Sequence, residues 1–414
     1  MTTSRTTSHR YTPRRTAGML AALVLAAVAA LATGCGGGGG DSTSSAGSST
    51  PPTATATGYT QGTVTGFGSV VVNGVRFDDS SASVTDDAGT KTSASALHLG
   101  MRVEVDHSAV DSSSASAKAV AFRYGSLALG AVSAVDATAG TVTVLGQVVD
   151  VSSSTVFDDA LAAGLSAVAV GAVVEVHGLV DSATGHISAT RIESETGATA
   201  YKLRGTVAAL DTSTKTLSIG GAVINYGGLA STLVPSTLAN GSSLRVLLAT
   251  TPVSGQWLAQ SLGIKTAPKP ADNTSAQVRG NITAFTSATS FTVGGLVVDA
   301  RSASFPDGSS ALALGVQVEV QGTVTNGVLV ATKVEVESKH RGDDSHALQL
   351  IGAITALDSA AKTFVVRGVT VSRSSATTYV NGVEADLAVG RKVHVKGTLG
   401  STRSQVLASK ISFD

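Results

Sequence analysis

Cysteine is almost missing from this sequence, because the 414 residues contain only one, Cys35. Disulfide bonds within the chain are therefore excluded, and an exported chain of this length must be stable without them. Aromatic residues make up only 4% and charged residues only 14%, and the net charge is zero. Nucleic-acid binding requires a basic face. The charge balance therefore predicts that nucleic acid is not a partner.

The sequence also lacks the local signatures of common enzymes. It contains no H-E-x-x-H motif, no G-K-[ST] phosphate loop, no G-x-S-x-G turn and no C-x-x-C pair. Serine, aspartate and histidine are present, but without a signature they identify no active site. We therefore predict no catalytic residues, no bound metal and no cofactor.

Residues 1–34 have the pattern of an export signal. Residues 1–16 contain four arginines and no acidic residue, residues 17–32 are apolar, and small residues precede Cys35. The apolar stretch is shorter than the roughly 20 residues of a spanning helix. Arg14-Arg15 lacks the apolar pair expected after a twin-arginine signal, which favours the general secretory route.

The stretch Ala32-Thr33-Gly34-Cys35 resembles the lipobox of bacterial lipoproteins. The resemblance implies that the Cys35 thiol carries a diacylglycerol and that cleavage makes Cys35 the new N-terminus. Gly36 follows where an aspartate would retain a Gram-negative lipoprotein at the inner membrane, which implies the outer membrane. The alternative is an ordinary signal peptide with a chance cysteine. Residues 35–59 are rich in Gly, Ser and Thr, and we expect a flexible, disordered tether.

One phrase, typified by "LALGVQVEVQG", occurs five times after the tether. Phrases similar to "GAITALD" open each repeat, and phrases similar to "ATKVE" close most of them. Three ordered phrases at matched spacing define an internal repeat. The glycines of the central phrase are Gly100, Gly171, Gly241, Gly315 and Gly390.

Each repeat has the pattern of β-strands. In the central phrase of the second repeat, Val174 and Val176 flank Glu175, and this period of two predicts valines in a core and the charge in water. Asn73-Gly74 predicts a tight hairpin. The stretch "DALAAGLSAVAVG" before Gly171 predicts a short helical turn.

The three phrases resemble bacterial lipoproteins built from the domain of unknown function 5666. The resemblance implies an all-β fold of tandem small antiparallel barrels, OB-like, with five or six strands each; it implies no assigned activity. The third repeat departs most from the phrases. The predicted repeats are 60–124, 125–195, 201–266, 276–338 and 347–414.

Two further features could form sites. His340 and His346, with Asp343 and Asp344, lie in a predicted linker, where a polar linker is favoured over a metal site or an Arg-Gly-Asp adhesion motif. Trp257 and the scattered Phe and Tyr residues are predicted to fill cores rather than to form a ligand platform, and His177 and His394 to be surface residues.

Together these features predict a non-catalytic lipoprotein of the cell envelope, anchored through Cys35 to the outer membrane. We expect an extended string of barrels that binds or spaces envelope protein partners. The alternative is a module that binds a small molecule or glycan on a barrel face.

Overall fold

The computed structural model describes residues 56–337 and 347–414. These described residues belong to one compact unit. The described residues form strands joined by turns and short 3-10 helices. In the described part of the chain, no helix has the length and apolar character needed to cross a membrane.

The first repeat folds into a small barrel, barrel 1. Its strands are β1 (Gly58–Phe67), β2 (Val70–Val72), β3 (Val75–Asp78), β4 (Ser83–Thr85), β5 (Lys91–Thr92), β6 (Arg102–His107) and β7 (Ser116–Tyr124). Five of them close the barrel in the order β1-β2-β3-β7-β6-β1. Every pairing in that ring is antiparallel except β3 with β7, which is parallel. The closed ring of five strands is OB-like.

The remaining described strands form barrels 2 to 5. Barrel 2 contains β8 (Ala128–Asp136), β9 (Thr141–Val144), β10 (Gln147–Asp150), β11 (Val156–Phe157), β12 (Val173–Val180) and β13 (Ile187–Ser194). Barrel 3 contains β14 (Tyr201–Thr206), β15 (Ala208–Asp211), β16 (Thr216–Ile219), β17 (Ala222–Asn225), β18 (Ser243–Leu248) and β19 (Trp257–Ile264). Barrel 4 contains β20 (Ser275–Ser287), β21 (Ser290–Val293), β22 (Leu296–Asp299), β23 (Gln317–Thr325) and β24 (Val328–Val336). Barrel 5 contains β25 (Leu348–Asp358), β26 (Thr363–Val366), β27 (Val369–Ser372), β28 (Thr378–Val380), β29 (Lys392–Leu399) and β30 (Val406–Phe413).

Barrels 2 to 5 repeat the strand order of barrel 1. Each contains one parallel pairing at the equivalent place, namely β10 with β13, β17 with β19, β22 with β24 and β27 with β30. In barrel 3 the first strand is split into β14 and β15, which pair with β18 and β16 respectively. The predicted all-β fold of small OB-like barrels is confirmed. The prediction of fully antiparallel barrels is corrected by this parallel pairing and by a second one in barrels 1, 2 and 5, namely β4 with β7, β11 with β13 and β28 with β30.

Two turns follow directly from the sequence. Asn73 and Gly74 have φ of 49° and 77° and join Val72 to Val75, which confirms the predicted hairpin. The glycine of the central phrase has a positive φ of 84–89° in all five barrels, a conformation that side chains disfavour. The predicted helical turn before Gly171 consists of two 3-10 helices, Asp159–Leu161 and Gly164–Ala167.

The aliphatic residues of the central phrase all point into their barrels. Both members of the pair are at most 2% exposed in every barrel: Val103 and Val105, Val174 and Val176, Leu244 and Val246, Val318 and Val320, Val393 and Val395. The predicted inward face of the central strand is therefore confirmed.

The barrels pack against one another and do not form an extended string. The start of β1 pairs in parallel with β20 of barrel 4, and its end pairs in parallel with β25 of barrel 5. β8 of barrel 2 pairs with β14 of barrel 3. Buried apolar residues of barrels 1 and 5 form one cluster, and those of barrels 2 and 3 form another. The expectation of an extended string is corrected, because open strand edges are paired between barrels.

Candidate functional site

A cavity of about 1170 Å³ lies where barrels 1, 2, 3 and 4 meet. Four acidic residues line it: Asp86, Asp87, Glu104 and Asp106. Five basic residues line it: Arg102, Arg123, Arg204, Lys265 and Lys269. Opposite charges are therefore nearly balanced on its walls, which favours a polar ligand of low net charge over a polyanion.

Barrel 1 provides all four acidic residues of the lining. Because side chains alternate along β6, Glu104 and Asp106 leave the barrel on the face opposite to the buried valines. Arg123 on β7 donates to both, with Nε 3.2 Å from a Glu104 oxygen and Nη1 2.6 Å from an Asp106 oxygen. The hydrogen bond to Asp106 raises the pKa of Arg123, so this side chain remains a cation in the cavity wall.

Arg102 and Tyr59 lie where barrel 1 meets barrel 4. Arg102 Nη2 donates to the carbonyl oxygen of Arg279 at 2.7 Å. Burial, with the nearby charge of Arg279, lowers the pKa of Arg102 to about 10. Burial also raises the pKa of Tyr59, whose hydroxyl has no hydrogen-bond partner among the described residues. Buried polar atoms usually have partners, so this hydroxyl retains unused binding capacity.

Barrel 3 and the segment after it provide the basic wall. Lys265 Nζ donates to the carbonyl oxygen of Asp87 at 3.2 Å. Burial lowers the pKa of Lys265, and the neighbouring Arg204 lowers it further. Residues 266–271, which lie between barrels 3 and 4 in the chain, also line the cavity, and Pro268 lies beside Gly295 of barrel 4.

A second polar cluster lies on the outer face of β12 and β13. Glu175 lies directly opposite Glu193 in the strand register, and His177 lies opposite Arg191. The ligand atoms of Glu175, His177 and Glu193 all lie within 4.8 Å of one another. Lys202 of barrel 3 approaches Glu175 at 3.2 Å, and Arg191 Nε approaches Glu193 at 2.5 Å.

The two carboxyl groups of this cluster are ionised. Burial would raise the pKa of Glu175, but Lys202 and His177 outweigh it, and the pKa is lowered. Burial acts in the same direction on Glu193, yet His177 and Arg191 lower its pKa to about 2. The cluster therefore carries two negative charges whose compensation comes from adjacent cations.

Several outward residues of the central phrase are not in water. Glu319 is buried, and one of its carboxylate oxygens accepts a hydrogen bond from Arg279 Nη2 at 2.6 Å. Glu104 and Glu175 are half-buried. His177 is 1% exposed and His394 is half-buried. The prediction of a surface position for His177 is wrong, and so is that of water around the outward charge at Glu319, because a neighbouring strand or barrel covers this face. Glu175, predicted to lie in water, and His394 are covered only in part.

Other predicted residues are placed as follows. Cys35 and the His340–His346 cluster lie outside the described residues. Trp257 is half-buried and packs against the shared core of barrels 2 and 3. Its ring lies edge-on to that of Tyr201, with the ring centroids 5.8 Å apart. It does not line the cavity. Phe77, Phe157 and Tyr226 are buried, which confirms their prediction as core residues.

The fold and sites define a class of protein: a tandem OB-like barrel protein with a polar cavity at the junction of its barrels. The chain belongs to the family described as domain of unknown function DUF5666, whose model matches residues 61–120, 130–193, 279–335 and 351–412. Barrel 3 lies outside these four matches and nevertheless has the same strand order. The predicted family is confirmed.

No curated protein matches the chain. The solved structure titled "drosophila Unr CSD456" is 14% identical, with 52% of this chain and 98% of that chain covered and a TM-score of 0.13.

The cavity could not be predicted from the sequence, because its lining residues are far apart in the chain. The nearest signal was the alternation in the central phrase, which placed Glu104 and Asp106 on one outward face. The Glu175–His177–Glu193 cluster had a clearer signal, since two of its members are spaced i, i+2 on one strand and the third follows in the closing phrase.

Proposed function

We propose that this chain is a non-catalytic binding protein of the bacterial cell envelope, whose cavity receives a small polar molecule or glycan. The cavity is the observation that supports the proposal. It lies among four barrels and has a volume of about 1170 Å³, which is slightly above the roughly 300–1,000 Å³ typical of small-molecule sites. Its walls hold donors and acceptors of both charges, which suit a hydroxyl-rich neutral ligand better than an anionic polymer.

The test is direct binding of a panel of neutral and charged oligosaccharides, measured by calorimetry. Arg204→Gln removes a cavity cation without touching a barrel core. A charged hydrogen bond to the ligand is worth about 1.5–3 kcal/mol, so affinity should fall roughly tenfold to a hundredfold. The control is Lys91→Gln, an exposed residue on β5 that does not line the cavity. Equal affinity in both variants would place the ligand elsewhere.

Binding of an envelope protein is a second candidate, favoured by one observation. Leu99, directly before the repeated glycine of barrel 1, is buried, and its carbonyl oxygen accepts a hydrogen bond from Arg191 of barrel 2. The equivalent residues of barrels 2 and 5, Val170 and Val389, are 66% and 64% exposed. Val170 and Val389 are apolar, as Leu99 is, but they are exposed to solvent. Val170→Ser with Val389→Ser should abolish capture of an envelope partner and leave glycan binding unchanged; loss of glycan binding instead would contradict this assignment.

Attachment to the outer membrane through Cys35 is part of the proposal and rests on the lipobox resemblance. Cys35→Ser should move the protein from the membrane fraction to the soluble fraction. Metabolic labelling with a fatty-acid analogue should label the wild type and not the variant. A variant that still sediments with membranes would contradict the anchor.

A further inference from the structure

The outer face of β12 and β13 contains an arrangement that hydrogen bonding alone does not satisfy. His177 is 1% exposed, and neither of its ring nitrogens has a hydrogen-bond partner within the described residues. Its Nε2 lies 3.7 Å from an oxygen of Glu193, which is longer than a hydrogen bond. A buried imidazole normally has a partner for at least one nitrogen.

The two carboxylates beside it face each other across the strand pair. Glu175 and Glu193 occupy directly opposite positions, where like charges destabilise a sheet. Zinc binds imidazole nitrogen and carboxylate oxygen at about 2.0–2.2 Å, so ligand atoms around a tetrahedral ion lie roughly 3.3–3.5 Å apart. The 3.7 Å separation of His177 Nε2 and the Glu193 oxygen is close to that spacing, and the ligand atoms of all three residues lie within 4.8 Å of one another.

We propose that Glu175, His177 and Glu193 form a binding site for a divalent transition-metal cation, with zinc as the best fit. The side chains of Glu175 and Glu193 are 23% and 16% exposed, which leaves a path for the ion and a position for water. Imidazole with two carboxylates is a ligand set that zinc accepts.

The neighbouring cations can make room for the ion. Lys202 contacts Glu175 at 3.2 Å, but it also lies 3.7 Å from an oxygen of Asp87, whose side chain is only 4% exposed. The second oxygen of Asp87 has no hydrogen-bond partner in the described part of the chain. When zinc takes the Glu175 oxygen, Lys202 moves to Asp87. Arg191 keeps its bond to the carbonyl oxygen of Leu99 at 3.0 Å.

Barrel 4 provides a natural comparison for this site. Glu319 and Glu335 are directly opposite each other, as Glu175 and Glu193 are, but Gln321 stands at the position of His177. Glu319 accepts hydrogen bonds from Arg279, Gln277 and Gln321, so its oxygens are already used. The imidazole and the available carboxylate oxygen therefore distinguish barrel 2 from barrel 4.

The experiment titrates zinc into the full chain carrying Cys35→Ser, which removes the only thiol. We expect one zinc ion per chain, and His177→Gln, which copies barrel 4, should weaken binding by at least about a hundredfold, more than the loss of an outer-shell partner costs. Glu335→Gln in barrel 4 should leave the affinity unchanged. The pair His340→Gln and His346→Gln should also leave it unchanged.

A second experiment locates the ion directly. It is an anomalous difference map recorded at the zinc edge from crystals of the chain in which Glu175, His177 and Glu193 are unchanged. A peak between Glu175, His177 and Glu193 is the expected result. No bound zinc, equal affinity in His177→Gln, or loss of zinc with the His340 and His346 substitutions would each overturn the proposal. A His177→Gln protein that fails to fold would leave the anomalous map to decide.

Discussion

In two of the barrels, the residue between the two buried aliphatics of the central strand contacts a neighbouring barrel. It is Glu175 in barrel 2, paired with Lys202 of barrel 3, and Arg245 in barrel 3, whose Nε lies 3.2 Å from Asp87 of barrel 1. The aliphatics stabilise each barrel, and in barrels 2 and 3 the charged residue between them contacts the neighbouring barrel. Stability and assembly are therefore carried by adjacent residues that point in opposite directions.

Truncation of an inward valine should destabilise the protein. Val176→Ala removes two buried methyl groups, and we expect a loss of about 1.5–2 kcal/mol in the free energy of unfolding. Val223→Ala on β17 is the control, because Val223 is 43% exposed, and its effect should stay within about 0.5 kcal/mol. Chemical denaturation measures both. Equal losses would contradict the assignment of the inner face.

Acidification should destabilise barrel 1 through His107. Its Nδ1 donates to the carbonyl oxygen of Ser108 at 2.6 Å and its Nε2 accepts from the hydroxyl of Thr60 at 3.0 Å, a pattern that fits the neutral ring. Burial lowers the pKa of His107 from its usual 6.5. As the pH falls, the unfolded chain therefore takes up the proton first, so the stability is complete above pH 6.5 and is lost as the pH falls towards the folded-state pKa.

The measurement is the free energy of unfolding between pH 8 and pH 5, with the His107 titration followed by NMR. We expect a decline that begins near pH 6.5, and a shallower decline in His107→Gln. Two other histidines with a lowered pKa, His98 and His394, contribute the remaining slope. A His107 that titrates above pH 6.5 would contradict the neutral assignment.

At the scale of strands and turns, the repeated glycine allows the effect of backbone conformation to be compared with the effect of packing between barrels. Gly100 and Gly171 have nearly the same φ, 87° and 89°, and a Cβ at Gly171 would meet nothing within 4 Å. A Cβ at Gly100 would lie 2.6 Å from the carbonyl oxygen of Thr190 in barrel 2. The first glycine is required by both conformation and packing, the second by conformation alone.

Alanine at these two glycines should therefore have unequal effects. Gly171→Ala should cost about 1–2 kcal/mol for its left-handed conformation. Gly100→Ala should cost about 1–3 kcal/mol more, because barrel 2 must move away. Thermal and chemical denaturation of both variants make the comparison. Equal costs would show that barrels 1 and 2 do not touch at this corner.

The sequence predicted individual strands and turns better than it predicted the contacts that strands make with residues distant in the chain. The Asn73-Gly74 turn and the alternation around Val174 and Val176 are local patterns, and both are confirmed. Burial of Glu319 and His177 could not be predicted, because the contacts that cover them come from residues such as Arg279 and Arg191, whose pairing depends on strand register. The cavity was missed for the same reason.

At the scale of the whole molecule, the five barrels described here form one body in which barrel 1 contacts all the others. Strand β1 pairs with strands of barrels 4 and 5. The carbonyl oxygen of Leu99 accepts a hydrogen bond from Arg191 of barrel 2, and Asp87 forms an ion pair with Arg245 of barrel 3. The cavity exists only because the barrels converge. A string of independent barrels would have no such space, so the compact arrangement is the claim on which the proposed binding function depends.

Small-angle X-ray scattering of residues 53–414 tests this claim most directly. A compact chain of this length should have a radius of gyration of about 21 Å. Five barrels in an extended row, each with a radius of gyration of about 11 Å, would give roughly 40 Å. We predict the smaller value, with a bell-shaped Kratky plot. A value near the larger one would contradict the compact body and, with it, the shared cavity.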